Sequence, residues 1–130
     1  QDKKKIIGIM ISSRETDRAF SVIAGGIRDY FAKLGQPLPE QFEKEILLLD
    51  GYRAGGYGVY DDAIRSCIRT EYIENGIPLD PVYTGKAFWG MKEYIREQKI
   101  TGSRILFLHT GGAPLFYDFL AKEGAGELEC

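Results

Sequence analysis

The residues able to do chemistry gather in short loops rich in phenols, hydroxyls and glycine. Gly51-Tyr52-Arg53-Ala54-Gly55-Gly56-Tyr57-Gly58 places two tyrosines among four glycines, and Tyr83-Thr84-Gly85-Lys86 joins a phenol, a hydroxyl and an amine. His109-Thr110-Gly111-Gly112 carries the only histidine. A tyrosine in such a place can orient a substrate or, with a lowered pKa, exchange protons with it and act as nucleophile. Glycines let a flat ligand approach the backbone. His109, alone at the end of an apolar run, reads as structural, and so does Asp80. Position alone does not mark Lys86 as a nucleophile, and Tyr52 and Tyr57 could simply pack a loop.

These loops need elements to position them. Lys5–Ser12, Glu45–Asp50 and Arg104–His109 are apolar runs bounded by polar residues and read as strands buried on both faces. Helical spacing of Phe20, Ile23, Ile27, Tyr30, Phe31 and Leu34 predicts a helix from about Thr16, capped by Thr16 or Asp17 and ended by Gly35. Gly25 and Gly26 within it imply close packing. A second helix opens at Asp61 or Asp62 and closes near Asn75-Gly76. A third follows Thr84-Gly85 with Phe88, Met91 and Ile95 on one stripe, and a fourth surrounds Leu115–Leu120. Strands alternating with helices imply an α/β fold with a largely parallel sheet. Ligands of such sheets bind beyond the carboxyl ends of the strands. The Ser12-Ser13 turn and the three loops above should therefore converge.

Composition narrows the chemistry. The 130 residues suit one domain, and a net charge of −2 gives no electrostatic basis for nucleic acid or an anionic membrane surface. No stretch approaches the roughly 20 apolar residues that span a bilayer. The charged start, Gln1–Lys5, does not read as a signal peptide. Cys67 and Cys130 lack metal-ligand spacing, so a reducing, cytoplasmic setting is expected. Neither a dinucleotide fingerprint nor a P-loop follows any of the strands.

Three strings, Gly56-Tyr57-Gly58, Leu79-Asp80-Pro81-Val82-Tyr83-Thr84-Gly85-Lys86-Ala87 and Leu106-Phe107-Leu108-His109-Thr110-Gly111-Gly112, in this order, resemble the D-cysteine desulfhydrase and 1-aminocyclopropane-1-carboxylate deaminase family. These enzymes use pyridoxal 5'-phosphate and share the tryptophan-synthase β-subunit fold, called fold type II. The resemblance runs from the first strand to the last helix. It implies a three-layer α/β architecture, a mostly parallel sheet flanked by helices, with residues 1–130 as a single domain forming the C-terminal part of the parent enzyme.

The resemblance also implies roles. Tyr57 and Tyr83 match the family's two active-site tyrosines, near the substrate amino and carboxylate groups. Thr84 and Thr110 match positions beside the cofactor ring, with Thr110 the partner of the pyridine nitrogen, and Gly111 and Gly112 let the backbone approach the ring. The deaminases carry Glu where this chain has Thr84. Neutral hydroxyls make the ring a weaker electron sink, which favours β-elimination from D-cysteine over cyclopropane opening. Deamination of aminocyclopropanecarboxylate and desulfonation of cysteate are the alternatives within the family. A catalytically inert ligand-binding or assembly domain is the alternative outside it.

The family's Schiff-base lysine and phosphate loop lie in the N-terminal portion, and nothing here matches either. Lys86 is not expected to take that place. The chain by itself is therefore expected to be inactive toward its small amino-acid substrate. Apolar surface normally covered by the missing half should also be exposed. Sedimentation of the chain should accordingly show homo-oligomers, or a tight complex with an N-terminal portion; a uniform monomer that binds no such portion would contradict this.

Overall fold

The computed structural model describes residues 5–123. Cys130 and most of the charged start lie outside that range. Two strands, β1 (Ile7–Ile9) and β2 (Leu47–Leu49), pair in parallel with Ile7 opposite Leu47, Gly8 opposite Leu48 and Ile9 opposite Leu49. The ladder continues through Met10 N–H, which donates to Leu49 O at 2.8 Å. Between them run α1 (Thr16–Lys33) and a short 3₁₀ turn (Phe42–Glu45); α2 (Asp62–Asn75), α3 (Thr84–Glu97) and α4 (Ala113–Glu123) follow. The fold is thus a small α/β arrangement.

Helix ends follow the local chemistry. Asp61 caps α2 by accepting from Ile64 N–H at 3.0 Å. Gly76, at φ 67°, closes it with Gly76 N–H on Tyr72 O and Ile77 N–H on Glu71 O. The start of α1 differs from expectation. Its cap residue is Glu15, with no side-chain capping bond, and Thr16 is already in the first turn. The Thr16 hydroxyl is engaged elsewhere, donating to Asp50 at 3.0 Å.

The core sits among the helices. Ile64, Ile68, Leu79, Phe116 and Phe119 form one buried cluster, edged by Tyr60, Tyr72, Phe88 and Phe107. Each such side chain contributes on the order of 1.5–3 kcal/mol on burial. A Cβ on Gly90 would lie 2.9 Å from Tyr52 Cβ and 3.0 Å from Ile9, so the missing side chain lets α3 rest on β1. Glu71, buried between α2 and α3, takes Lys92 Nζ at 2.9 Å and Asn75 Nδ2 at 2.9 Å.

Further expectations change. β1 and β2, read as strands buried on both faces, are only partly covered, with Leu47 38% exposed, because two strands alone offer no layer on the second face. Arg104–His109 forms no ladder: Leu106 is 92% exposed and Leu108 78%, and Phe107 alone turns inward, its ring 5.0 Å from Phe88. A strand requires a neighbour for its backbone groups, and none of the described residues supplies one. The sheet among the described residues therefore has two strands rather than three. Gly25 and Gly26, read as close-packing positions, have nothing within 4 Å of where a Cβ would stand. Only Ala24 of α1 is buried, and a groove of about 380 Å³ lies between that helix and the sheet.

The helical glycines should consequently respond in opposite senses. Gly26→Ala, on an open surface, should raise stability by about 0.5–1 kcal/mol. Gly85→Ala places a Cβ 2.6 Å from Asp80 O and 2.7 Å from Ile68, and should cost about 1–3 kcal/mol. Urea unfolding of the two variants checks the opposite signs.

Candidate active site at the start of α3

The site is organised around the carboxylate of Asp80, which is fully buried. Its Oδ1 accepts from Val82 N–H at 2.9 Å and Tyr83 N–H at 2.7 Å; its Oδ2 accepts from Thr84 N–H at 2.9 Å and the Thr84 hydroxyl at 2.6 Å. Asp80 N–H donates back to Thr84 Oγ1 at 2.9 Å. The reciprocal pattern resembles a capping box set just ahead of α3: it takes the N–H groups of Val82 and Tyr83 and that of Thr84, the first residue of the helix. Pro81, lacking an N–H, stands where no donor is needed. Asp80 is thus structural, as its sequence position suggested.

The third string closes on the same carboxylate. Gly112, at φ 102°, passes so near that a Cβ there would lie 2.2 Å from Asp80 Oδ2. His109 reinforces the contact. Its Nδ1 accepts from Gly111 N–H at 3.2 Å, so the proton stands on Nε2, which donates to Pro78 O at 3.1 Å. The histidine is a clip between two loops.

The glycine-rich loop is drawn in from the other side. Lys86 is fully buried, and its ammonium donates to Arg53 O at 3.1 Å and to Gly56 O. Burial pushes its pKa below the ordinary lysine value, opposed by the Asp61 carboxylate. The next residue after Gly56 is Tyr57, whose hydroxyl meets that of Tyr83 at 2.6 Å with the rings edge to face, 5.8 Å between centroids. Tyr57 is 60% exposed and Tyr83 39%, so both phenols face outward. The hydrogen bond to Tyr57, then burial, raises the pKa of Tyr83, the reverse of the lowering that proton exchange or nucleophilic attack by this phenol calls for. Tyr52 takes the packing role instead. It stands edge to face with Trp89 and donates to Glu97 at 2.7 Å, and burial followed by Glu97 pushes its pKa up to about 12.

Of the six residues singled out in sequence, Tyr57 and Tyr83 touch each other, and Thr84 and Gly112 both adjoin Asp80. Thr110 and Gly111 occupy the exposed turn between His109 and Gly112. Thr84 is 2% exposed and its proton goes to Asp80, whereas Thr110 is exposed. Three of the four loops therefore converge. Ser12-Ser13 is linked to them through Arg53, which reaches Met10 Sδ at 3.7 Å and Thr16 Oγ1 at 3.0 Å on either side of that turn. The contributions of Lys86 and Arg53 were not visible as sequence features. The signal available for Lys86 was its place among the apolar positions of α3, since burial of a lysine demands acceptors.

Thr110 is exposed, and Gly111 has nothing within 4 Å of where a Cβ would stand. Among the described residues no group of histidine, cysteine or carboxylate side chains could hold a metal ion. No helix of the described residues is long and apolar enough to cross a membrane. No protein-family model matches the chain.

The phenol pair has a direct signature in titration. Tyr57→Phe should bring the ionisation of Tyr83 down toward the ordinary value of about 10. The raised pKa also means that the pair stabilises the fold up to about pH 10 and loses that contribution as pH climbs through the Tyr83 pKa. Carbon-13 resonances of the tyrosine Cζ atoms, followed from pH 8 to 12, check both statements.

Proposed function

We propose that this chain supplies the tyrosine and threonine side of a pyridoxal-phosphate lyase that eliminates sulfide from D-cysteine. The observation that carries the reading is the direct contact of Tyr57 and Tyr83 beside the Asp80-centred loops. The three strings that resemble the desulfhydrase family thus meet at the start of α3. In this reading the architecture is the C-terminal part of a three-layer, fold-type II enzyme, and the exposed Leu106 and Leu108 are sites for further strands of its sheet. The Schiff-base lysine and phosphate loop come from the N-terminal half, and a cytoplasmic setting accompanies the unpaired thiol of Cys67.

The bound cofactor would supply an electron sink for removal of a proton and departure of a β-substituent. The chain's own residues set what surrounds it. Thr110 offers a neutral hydroxyl to the pyridine nitrogen, and the Gly111 backbone leaves room for the ring. Thr84 acts from behind, holding Asp80, whose Oδ1 fixes the Tyr83 backbone. One phenol of the pair donates into the 2.6 Å contact, and the other keeps its proton for the substrate. The contact with Tyr57 holds the Tyr83 phenol in its neutral form more firmly than an isolated tyrosine. The raised pKa makes Tyr83 a weaker acid, so in this reading the pair donates a hydrogen bond to the substrate carboxylate rather than releasing a proton. The overall change consumes D-cysteine and water and yields pyruvate, ammonia and hydrogen sulfide.

The decisive experiment mixes the chain with pyridoxal phosphate and D-cysteine, with and without the parent's N-terminal half. Sulfide and pyruvate should appear only in the complete mixture, and Tyr83→Phe should reduce the rate by about 10²-fold or more. Cyclopropane opening without sulfide release would transfer the assignment to the deaminases. Absence of both, with the halves bound, would favour an inert assembly domain.

A further inference from the structure

We infer that Lys86 is a positioning residue: its buried ammonium holds the glycine-rich loop in the form that brings the Tyr57 hydroxyl to Tyr83. Two consecutive turns build that loop. Gly56 N–H donates to Arg53 O at 3.1 Å and Val59 N–H to Gly56 O at 3.3 Å. The same two carbonyls accept from Lys86 Nζ. The ammonium therefore ties the closing acceptors of both turns to α3. Lys86 lies in the first turn of α3, three residues after its N-cap Tyr83. The helix that carries the receiving phenol also carries the cation that draws its partner in.

The loop needs such a tether. Ala54, Gly55, Gly56 and Gly58 all have positive φ, at 49°, 87°, 120° and 73°. Glycine adopts these angles without strain but loses much conformational freedom in doing so, and alanine at 49° is unfavourable. The contact between the phenols is half open to water, where one hydrogen bond contributes little net stability. A buried ammonium bonded to carbonyls loses far more if those partners leave. Lys86 is thus the stronger of the two attachments, and the phenol contact follows from it. That the pair is the reactive part of the site rests on the function proposed above; the tether does not.

Lys86→Met is the informative variant. Methionine is unbranched, apolar and of similar length, and both carbonyls keep their backbone donors. Hydrogen exchange of the Gly56 and Val59 amides should accelerate about tenfold or more. The Tyr83 titration should move to that of Tyr57→Phe, and adding Tyr57→Phe to Lys86→Met should move it no further. In Tyr83→Phe, which cuts the phenol contact and leaves Lys86 in place, exchange at Gly56 and Val59 should stay within about twofold of the parent chain.

Unchanged exchange and an unchanged Tyr83 titration in Lys86→Met would overturn the inference. Loop exchange accelerated about tenfold in Tyr83→Phe would do so too, because the phenols would then be the tether. This second variant decides the matter if Lys86→Met does not fold. All these readouts belong to the chain without cofactor. A tether confirmed here alongside no sulfide release in the complete mixture would reject the lyase assignment and leave the inference standing.

Discussion

A buried carboxylate that must find all its hydrogen-bond donors within the protein is the constraint from which the site follows. Asp80 is satisfied by three backbone N–H groups and one hydroxyl. The donors come from Val82 and Tyr83, just ahead of α3, and from Thr84, its first residue; a buried carboxylate left short of donors would be far more costly than any one of these bonds is favourable. That requirement accounts for much of the string Asp80-Pro81-Val82-Tyr83-Thr84-Gly85. Proline stands where a donor is not needed, threonine where a hydroxyl is, and Gly85 where the helix passes 2.6 Å, measured to a notional Cβ, from the Asp80 carbonyl. Gly112 then has no room for a side chain, and the last loop is fixed against the same group. Tyr83 owes its position to the carboxylate that takes its N–H.

The second buried charge complements the first. Asp80 faces N–H donors and Lys86 faces carbonyl acceptors, so each ion is met by oriented backbone dipoles. Such an arrangement leaves side chains free to do other work. Asp80 collects the start of α3 and the turn at Gly112, and Lys86 collects the Gly51–Gly58 loop. The two phenols that meet at the surface come from the two groups thus gathered. Their contact is a consequence of two buried ions rather than of any preference of the tyrosines for each other.

The sequence made the helices legible because their apolar stripes and caps are local. Asp61 before Ile64, and Gly76 after Asn75, set α2 almost to the residue. The strands were less legible. The apolar run at Arg104–His109 looks the same whether or not a neighbour pairs with it, and pairing is not a local property. Gly25 and Gly26 misled for a related reason. A glycine in a helix suggests a close neighbour, yet the described residues place none there and bury only Ala24 of α1. In the site, the tyrosines were legible from their strings, whereas their contact was not. It depends on Lys86, whose acceptors are carbonyls that any residue type could provide.

The unpaired run at Arg104–His109 bears on Thr110, the residue assigned to the ring nitrogen. A strand would normally deliver such a residue to the edge of a site, and here no ladder exists to do so. Thr110 is instead bracketed. His109, on one side, is clipped to Pro78 through Nε2, and Gly112, on the other, is pressed against Asp80. Both anchors belong to the segment that leads into α3. The turn therefore takes its place from the same helix start that places Tyr83, and not from the sheet. Sheet pairing along Ile105–Leu108 would add burial for Leu106 and Leu108 without being needed to hold the turn at Thr110 against the segment before α3. That separation explains how three loops can converge around α3 while the sheet among the described residues is limited to β1 and β2.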